Sequence, residues 1–290
     1  MKRKIIVIIV FISLIISTLL YFSSDLTIQQ TIGNFPIDEN NQFSEVTTTL
    51  QLIDLNDDDE YTLEWKTTSE TTDKIDLSHD IALLFEDGRL IEMMSLAKEK
   101  NTLLTQKLKI FGEDSGHFEA ITFHYRQKYY PNDIIKSLQS VSHDQLYVLD
   151  SPLSPIETFK KPRTSIEIDG KKILDTIIQQ NLQYSWQELI DYFHIDSNNY
   201  HLVPLTSLVK FNEKSLPSLT AEETKELLGT TWSALYKHYF LGIEKQDGTI
   251  VSAIGSSVPL VLFNKSYSHI AIIFISKDGT KYNIIKKVGK

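Results

Sequence analysis

Cysteine is missing from this sequence altogether, which excludes disulfides, thiolate metal sites and a lipid attached through a cysteine. Many small exported domains depend on disulfides, so this chain must depend on packing instead. Glycine and proline are sparse, 11 and 8 in 290 residues, and no repeat or low-complexity tract interrupts the sequence. Familiar chemical signatures are missing too. There is no G-x-S-x-G nucleophile elbow and no H-E-x-x-H metal pair, and the Ser-x-x-Lys pairs Ser95–Lys98 and Ser207–Lys210 lack an accompanying Lys-Thr-Gly or Ser-Asp-Asn. No cofactor is expected. A basic excess is also lacking: the net charge is −9. The chain has no electrostatic footprint for nucleic acid, which is not expected as a partner.

What the sequence does have is one long apolar run. Ile5 to Phe22 is eighteen residues without a charge, interrupted only by Ser13, Ser17 and Thr18. As a helix it would span roughly 27 Å, close to the hydrocarbon thickness of a bilayer. A cleaved signal peptide is the rival reading, but bulky Tyr21 or Phe22 would occupy the −3 position of the available cut sites. A retained signal-anchor is therefore expected. Lys2, Arg3 and Lys4 precede the run, whereas residues 25–80 carry fourteen Asp and Glu against only Lys66 and Lys74. Basic flanks stay in the cytoplasm. The expectation is a single-pass cell-membrane protein with a cytoplasmic tip at 1–4, an anchor at 5–22, an acidic spacer at 23–45 and an extracytoplasmic domain at 46–290. The Lys-, Ile- and Asn-rich usage is of a bacterial kind.

At 41 % hydrophobic residues, the domain can bury a core. TTTLQLIDL and YTLEWKTTS alternate with period two around NDDDE and predict a hairpin. Asp87-Gly88, Asp247-Gly248 and Asp278-Gly279 lie between β-like runs and predict tight turns, while Asp169-Gly170 precedes a helical pattern. Capping boxes at Ser185–Glu188 and Thr220–Glu223 predict helix starts, and Pro131-Asn132-Asp133 predicts a short helix over DIIKSLQSV. Three prolines between Ser151 and Arg163 suggest a lobe boundary near 151–163. The fold class expected is α+β with a mainly antiparallel sheet.

Candidate sites are few. The acidic run Asp54–Glu60 fails the EF-hand register and is expected as a solvated hairpin loop. Ser78-His79-Asp80 and Ser142-His143-Asp144 place triad residue types side by side, but triad members converge from distant segments, so both are expected at turns or caps. His117 and Glu119 should share one face of a strand, with His124 on the other. With His79 and His143 they form the candidate metal set His79, His117, Glu119 and His143. Tyr125, Tyr129 and Tyr130 make the densest aromatic patch and the candidate partner-binding face. The closing lysines, Lys281, Lys286, Lys287 and Lys290, are expected to protect a sheet edge. The function expected is a membrane-anchored binding or regulatory module acting on an envelope protein or polymer. A cell-envelope hydrolase, metal-dependent or not, and a structural subunit of a membrane complex are the alternatives.

Overall fold

In the computed structural model, which describes residues 32–33, 35–57, 60–151, 154–245 and 247–288, one strand organises the first half. This is β2 (Glu60–Glu86), which is long enough to take different neighbours along its length. Its first part pairs with β1 (Phe43–Asp57), its second part with β4 (Gly116–Tyr130), and β3 (Arg89–Gly112) runs along both. The ladder with β3 slips between Glu70 and Ile75, where β2 changes partner. β5 (Ile134–Ser151) and β6 (Ser154–Phe159) complete an antiparallel six-stranded sheet. The β2–β3 hairpin closes at Asp87 and Gly88, both at positive φ, 48° and 78°, the geometry an Asp-Gly pair supplies at least steric cost.

After α1 (Ser165–Tyr192) come β7 (Tyr200–Pro204), α2 (Ala221–Leu235) and the short pair β8 (Ile243–Glu244) and β9 (Ile250–Val251). The last strands, β10 (Leu260–Asn264), β11 (His269–Ile275) and β12 (Lys281–Lys287), form a second antiparallel sheet in the order β12-β11-β10-β7. The fold is α+β and mainly antiparallel, as the patterning implies.

Period-two alternation sorts each sheet into faces. Ile81, Leu83 and Phe85 of β2, with Ile121 and Phe123 of β4, pack on Trp232 of α2 and on Val203, Val261, Phe263 and Ile272 of the second sheet. The other face of the first sheet buries Leu50, Leu63, Trp65, Leu84 and Phe118. α1 covers the far face of the second sheet, where Leu189 meets Leu260, Leu262 and Ile273. Gly170 lets α1 approach β5, since a Cβ there would lie 2.6 Å from Leu149. The halves around 151–163 share one core and exchange main-chain hydrogen bonds, among them Leu90 N–H to Ser256 O, 2.9 Å, and Val258 N–H to Gly88 O, 2.9 Å.

Several local expectations give way. Residues 131–133 form a turn with Asn132 and Asp133 at φ 63° and 57°, and DIIKSLQSV continues as β5. A short apolar run fits either period, and here the fifteen-pair ladder to β4 decides. Ser185 caps nothing: it lies inside α1 and donates back to Asn181 O, 2.9 Å. The capping box that opens this helix is Thr164–Glu167, whereas Thr220–Glu223 opens α2 as its spacing predicts. The far end of the spacer lies against the domain. Ile32 is buried, Asp38 N–H donates to Ser137 O at 2.8 Å, and Tyr125 OH donates to Gly33 O at 2.9 Å. Ile5–Phe22 lies outside the described residues, as do Asp58, Asp59 and Lys290. Among the described residues no helix is long and apolar enough to cross a membrane.

Candidate functional site: a buried relay and a lysine cleft

The two Ser-His-Asp triplets sit inside strands β2 and β5, not at turns. Each then divides its side chains between the faces of the sheet, and one face collects Asp80, His124 and Ser142 from three strands. His124 Nδ1 is 3.0 Å from Asp80 Oδ2, and its Nε2 is 2.7 Å from Ser142 Oγ. This is the connectivity of an acid–base–nucleophile relay. Arg126 donates to the second oxygen of Asp80 at 2.9 Å and to Ser69 O at 3.2 Å, with Ser69 Oγ bridging both groups. Burial alone would raise the Asp80 carboxyl; His124, Arg126 and Ser69 together hold it below its usual value.

This relay is closed. Asp80, His124 and Arg126 have no exposed surface, and Ser142 is 8 % exposed. The Ser142 hydroxyl also meets Thr48 Oγ1 at 2.5 Å, and Thr48 donates on to Thr122 at 2.7 Å. Phe43 covers the assembly, its ring edge-on to His124 and under the Arg126 guanidinium. A cleft of ≈ 360 Å³ beside it is lined by Phe43, Val46, Gln139 and Ser140, and Ser142 is not part of its wall. As it stands, the relay ties β1, β2, β4 and β5 together.

The candidate metal set does not assemble. His117, Glu119 and His143 share a face, as strand periodicity predicts, and His143 Nε2 is 3.6 Å from Glu119 Oε1. His79 shares that face but stands opposite Tyr125, six residues along β2 from the partner of Glu119, or roughly 20 Å away. Each histidine has other company. His79 Nε2 lies 2.7 Å from Ser95 Oγ, and His117 stacks on Tyr147 at 4.0 Å and contacts Gln145 at 3.2 Å. Burial lowers the pKa of both, that of His79 to about 4, so each is a neutral ring at neutral pH. Among the described residues no three His, Asp or Glu side chains come together as metal ligands.

The three tyrosines do not form one surface. Tyr125 is a core residue, 1 % exposed, whereas Tyr129 is 48 % exposed. Tyr130 turns to the opposite face and donates to Asp38 Oδ2, 2.7 Å.

The second half holds a different kind of site. A cleft of ≈ 610 Å³ runs beside β7, walled by Tyr200, Leu202 and Phe211 and rimmed by Lys210, Lys214 and Lys265. β7 and the end of β10 place Tyr200 and Lys265, because Lys265 N–H donates to Asn199 O, 2.9 Å, where the ladder ends. A 3₁₀ segment, Leu205–Asn212, buries Leu205, Leu208 and Phe211 and leaves Lys210 outward, its ammonium 5.1 Å from the Phe211 ring centre. All three lysines are exposed, and none forms an ion pair among the described residues. Partial burial, then the nearby Lys214 charge, lower the pKa of Lys210. Such a cleft favours an anion, since a bound negative charge would relieve the repulsion. Sequence reading missed it because Lys210, Lys214 and Lys265 are isolated in the chain; only the fold brings the third beside the other two. No protein-family model matches the chain, and no curated protein is similar to it.

Proposed function

We propose that this protein is a membrane-anchored, extracytoplasmic binding module whose outer domain holds an anionic partner in the lysine cleft beside β7. One observation carries the reading: three lysines without carboxylate partners rim the ≈ 610 Å³ cleft. The chain as a whole is acidic, at −9, so a local basic site stands out as a selective feature. Ile5–Phe22 supplies the anchor and Lys2, Arg3 and Lys4 its orientation. Confinement to one surface raises effective concentration, so modest affinity suffices.

The test is titration of the full-length chain, solubilised in neutral detergent, with fluorescein-labelled poly-glutamate and with inorganic polyphosphate. Binding that weakens with salt and is lost in a Lys210→Glu, Lys214→Glu, Lys265→Glu variant supports the reading. Binding of neither polyanion, or equal binding by the variant, overturns it. For the topology, a reporter active only outside the cytoplasm, fused after Lys290, should be active.

A second reading, an envelope hydrolase, is favoured by one observation, the Asp80–His124–Ser142 connectivity. It requires Phe43 to move off His124 and Thr48 to release Ser142. A fluorophosphonate probe reports a reactive serine directly. Labelling that Ser142→Ala abolishes would establish this reading; no labelling is the outcome expected of a structural relay.

A further inference from the structure

We infer that the occupant of the lysine cleft is an extended acidic peptide, which adds to β7 as a fifth strand of the second sheet. The inference rests on the proposed anionic cleft and specifies the class of its ligand.

β7 is an edge strand: in the order β12-β11-β10-β7 nothing described pairs with its outer side. The opposite edge, β12, is guarded by Lys281, Lys286 and Lys287, as natural edges commonly are. β7 has no lysine, and Leu202 at its centre is 39 % exposed. Successive side chains of a strand point to opposite faces. Tyr200, His201, Leu202 and Val203 nevertheless all line the same cleft. A cleft touching four consecutive strand residues must follow the backbone edge rather than either face.

The hydrogen-bonding phase agrees. Lys265 N–H donates to Asn199 O and Leu205 N–H to Pro259 O, so the odd-numbered residues of β7 make the bonded pairs with β10. Tyr200 and Leu202 therefore turn their main-chain groups outward. The Tyr200 N–H is used by Ser197 O, which leaves the Tyr200 carbonyl and both groups of Leu202 for a partner strand. Pro204, which has no N–H, ends the edge. About four residues, roughly 13 Å, are presented. Main-chain pairing supplies affinity without sequence preference, and alternate side chains of the added strand supply selectivity. The rim of Lys210, Lys214 and Lys265 selects carboxylates at those alternate positions.

The probe is a fluorescein-labelled eight-residue peptide of alternating threonine and glutamate, titrated by anisotropy into the full-length chain in neutral detergent. Two controls remove the strand pairing alone. One is the same peptide N-methylated at every second amide, made in both phases so that each edge is blocked in turn. The other is Leu202→Pro, which deletes the outward N–H of an edge strand, with folding checked by circular dichroism. The parent peptide should bind in a lysine-dependent manner. One N-methylated phase and Leu202→Pro should each weaken it about tenfold, the loss of one or two hydrogen bonds. If both N-methylated phases bind as tightly as the parent while binding remains lysine-dependent, the added strand is wrong and the anionic cleft stands. If neither peptide nor polyphosphate binds, both readings fall. Should Leu202→Pro not fold, the N-methylated pair decides.

Discussion

In the first sheet, Asp80, His124 and Arg126 have no exposed surface, and the carboxylate of Asp80 is answered by an imidazole, a guanidinium and a hydroxyl. Across the shared core, Lys210, Lys214 and Lys265 stand in solvent around a cleft with no paired carboxylate. In the first arrangement each charge is buried and matched, and adding a ligand would displace a partner. The second is incomplete, and a ligand would supply what the chain omits. Taking charges out of water is costly unless they are paired, so buried charge must be satisfied within the fold. Exposed charge carries no such requirement and is free to serve recognition. Triad-like geometry is therefore a weaker sign of function here than unpaired lysines at a strand edge.

The comparison is broken most directly at Asp80. Asp80→Ala should strand a buried guanidinium and cost about 3–5 kcal/mol in urea unfolding. Replacing Asp80 and Arg126 together with Leu and Met should recover a large part of that loss, as a double-mutant cycle would show. A loss in the double variant equal to the sum of the two single-variant losses would mean that the pair is not coupled.

Acid should act on the first half in the same way. The His79 pKa is lowered to about 4 from 6.5 by burial. The unfolded chain therefore takes the proton first, and this contribution is full above pH 6.5 and falls away towards pH 4. Its size is up to ~3 kcal/mol. Asp80, also lowered, adds a loss as pH falls below its usual carboxyl range. His79→Gln should flatten the stability profile between pH 6.5 and 4 without altering the steeper acid limb. An unchanged profile would show that His79 is not held neutral.

Smaller effects belong to the second half. Thr220→Ala removes the hydroxyl that caps α2 and should cost about 1 kcal/mol, read as a lower melting temperature. Lys210→Ala and Lys214→Ala should each change stability by less than about 0.5 kcal/mol, yet weaken polyanion binding and reduce its salt dependence. A large loss of stability from either would move the lysines into the structural class and end the contrast.

Much of the architecture follows from local sequence. The alternation in YTLEWKTTS, the continuous apolar run IAIIFIS, the Asp87-Gly88 turn and the Thr220–Glu223 box each specify their own element, because backbone sterics and capping act within a few residues. The common face of His117 and Glu119, with His124 on the other, follows in the same way from the period of a strand. DIIKSLQSV did not specify itself. Ile134, Ile135, Leu138 and Val141 suit a helix as well as a strand, and only pairing with β4 decides between them. The Ser185 box was misleading for a similar reason: capping hydroxyls matter only where a helix begins, and Thr164 had already begun it.

The sites belong to tertiary structure. Asp80 meets His124 and Arg126, and His124 meets Ser142, because β2, β4 and β5 pair in one register, and a shift of one residue would send each to the other face. Lys265 joins Lys210 and Lys214 only because β10 pairs with β7 and ends beside the 3₁₀ segment. The sequence by itself determined the composition of the chain, its period-two strands, its capped helices and its apolar N-terminal run, all properties written within a few neighbouring residues. Which polar groups are buried together and which are left unpaired was decided only when distant strands came into register, since contact between remote residues has no local signature.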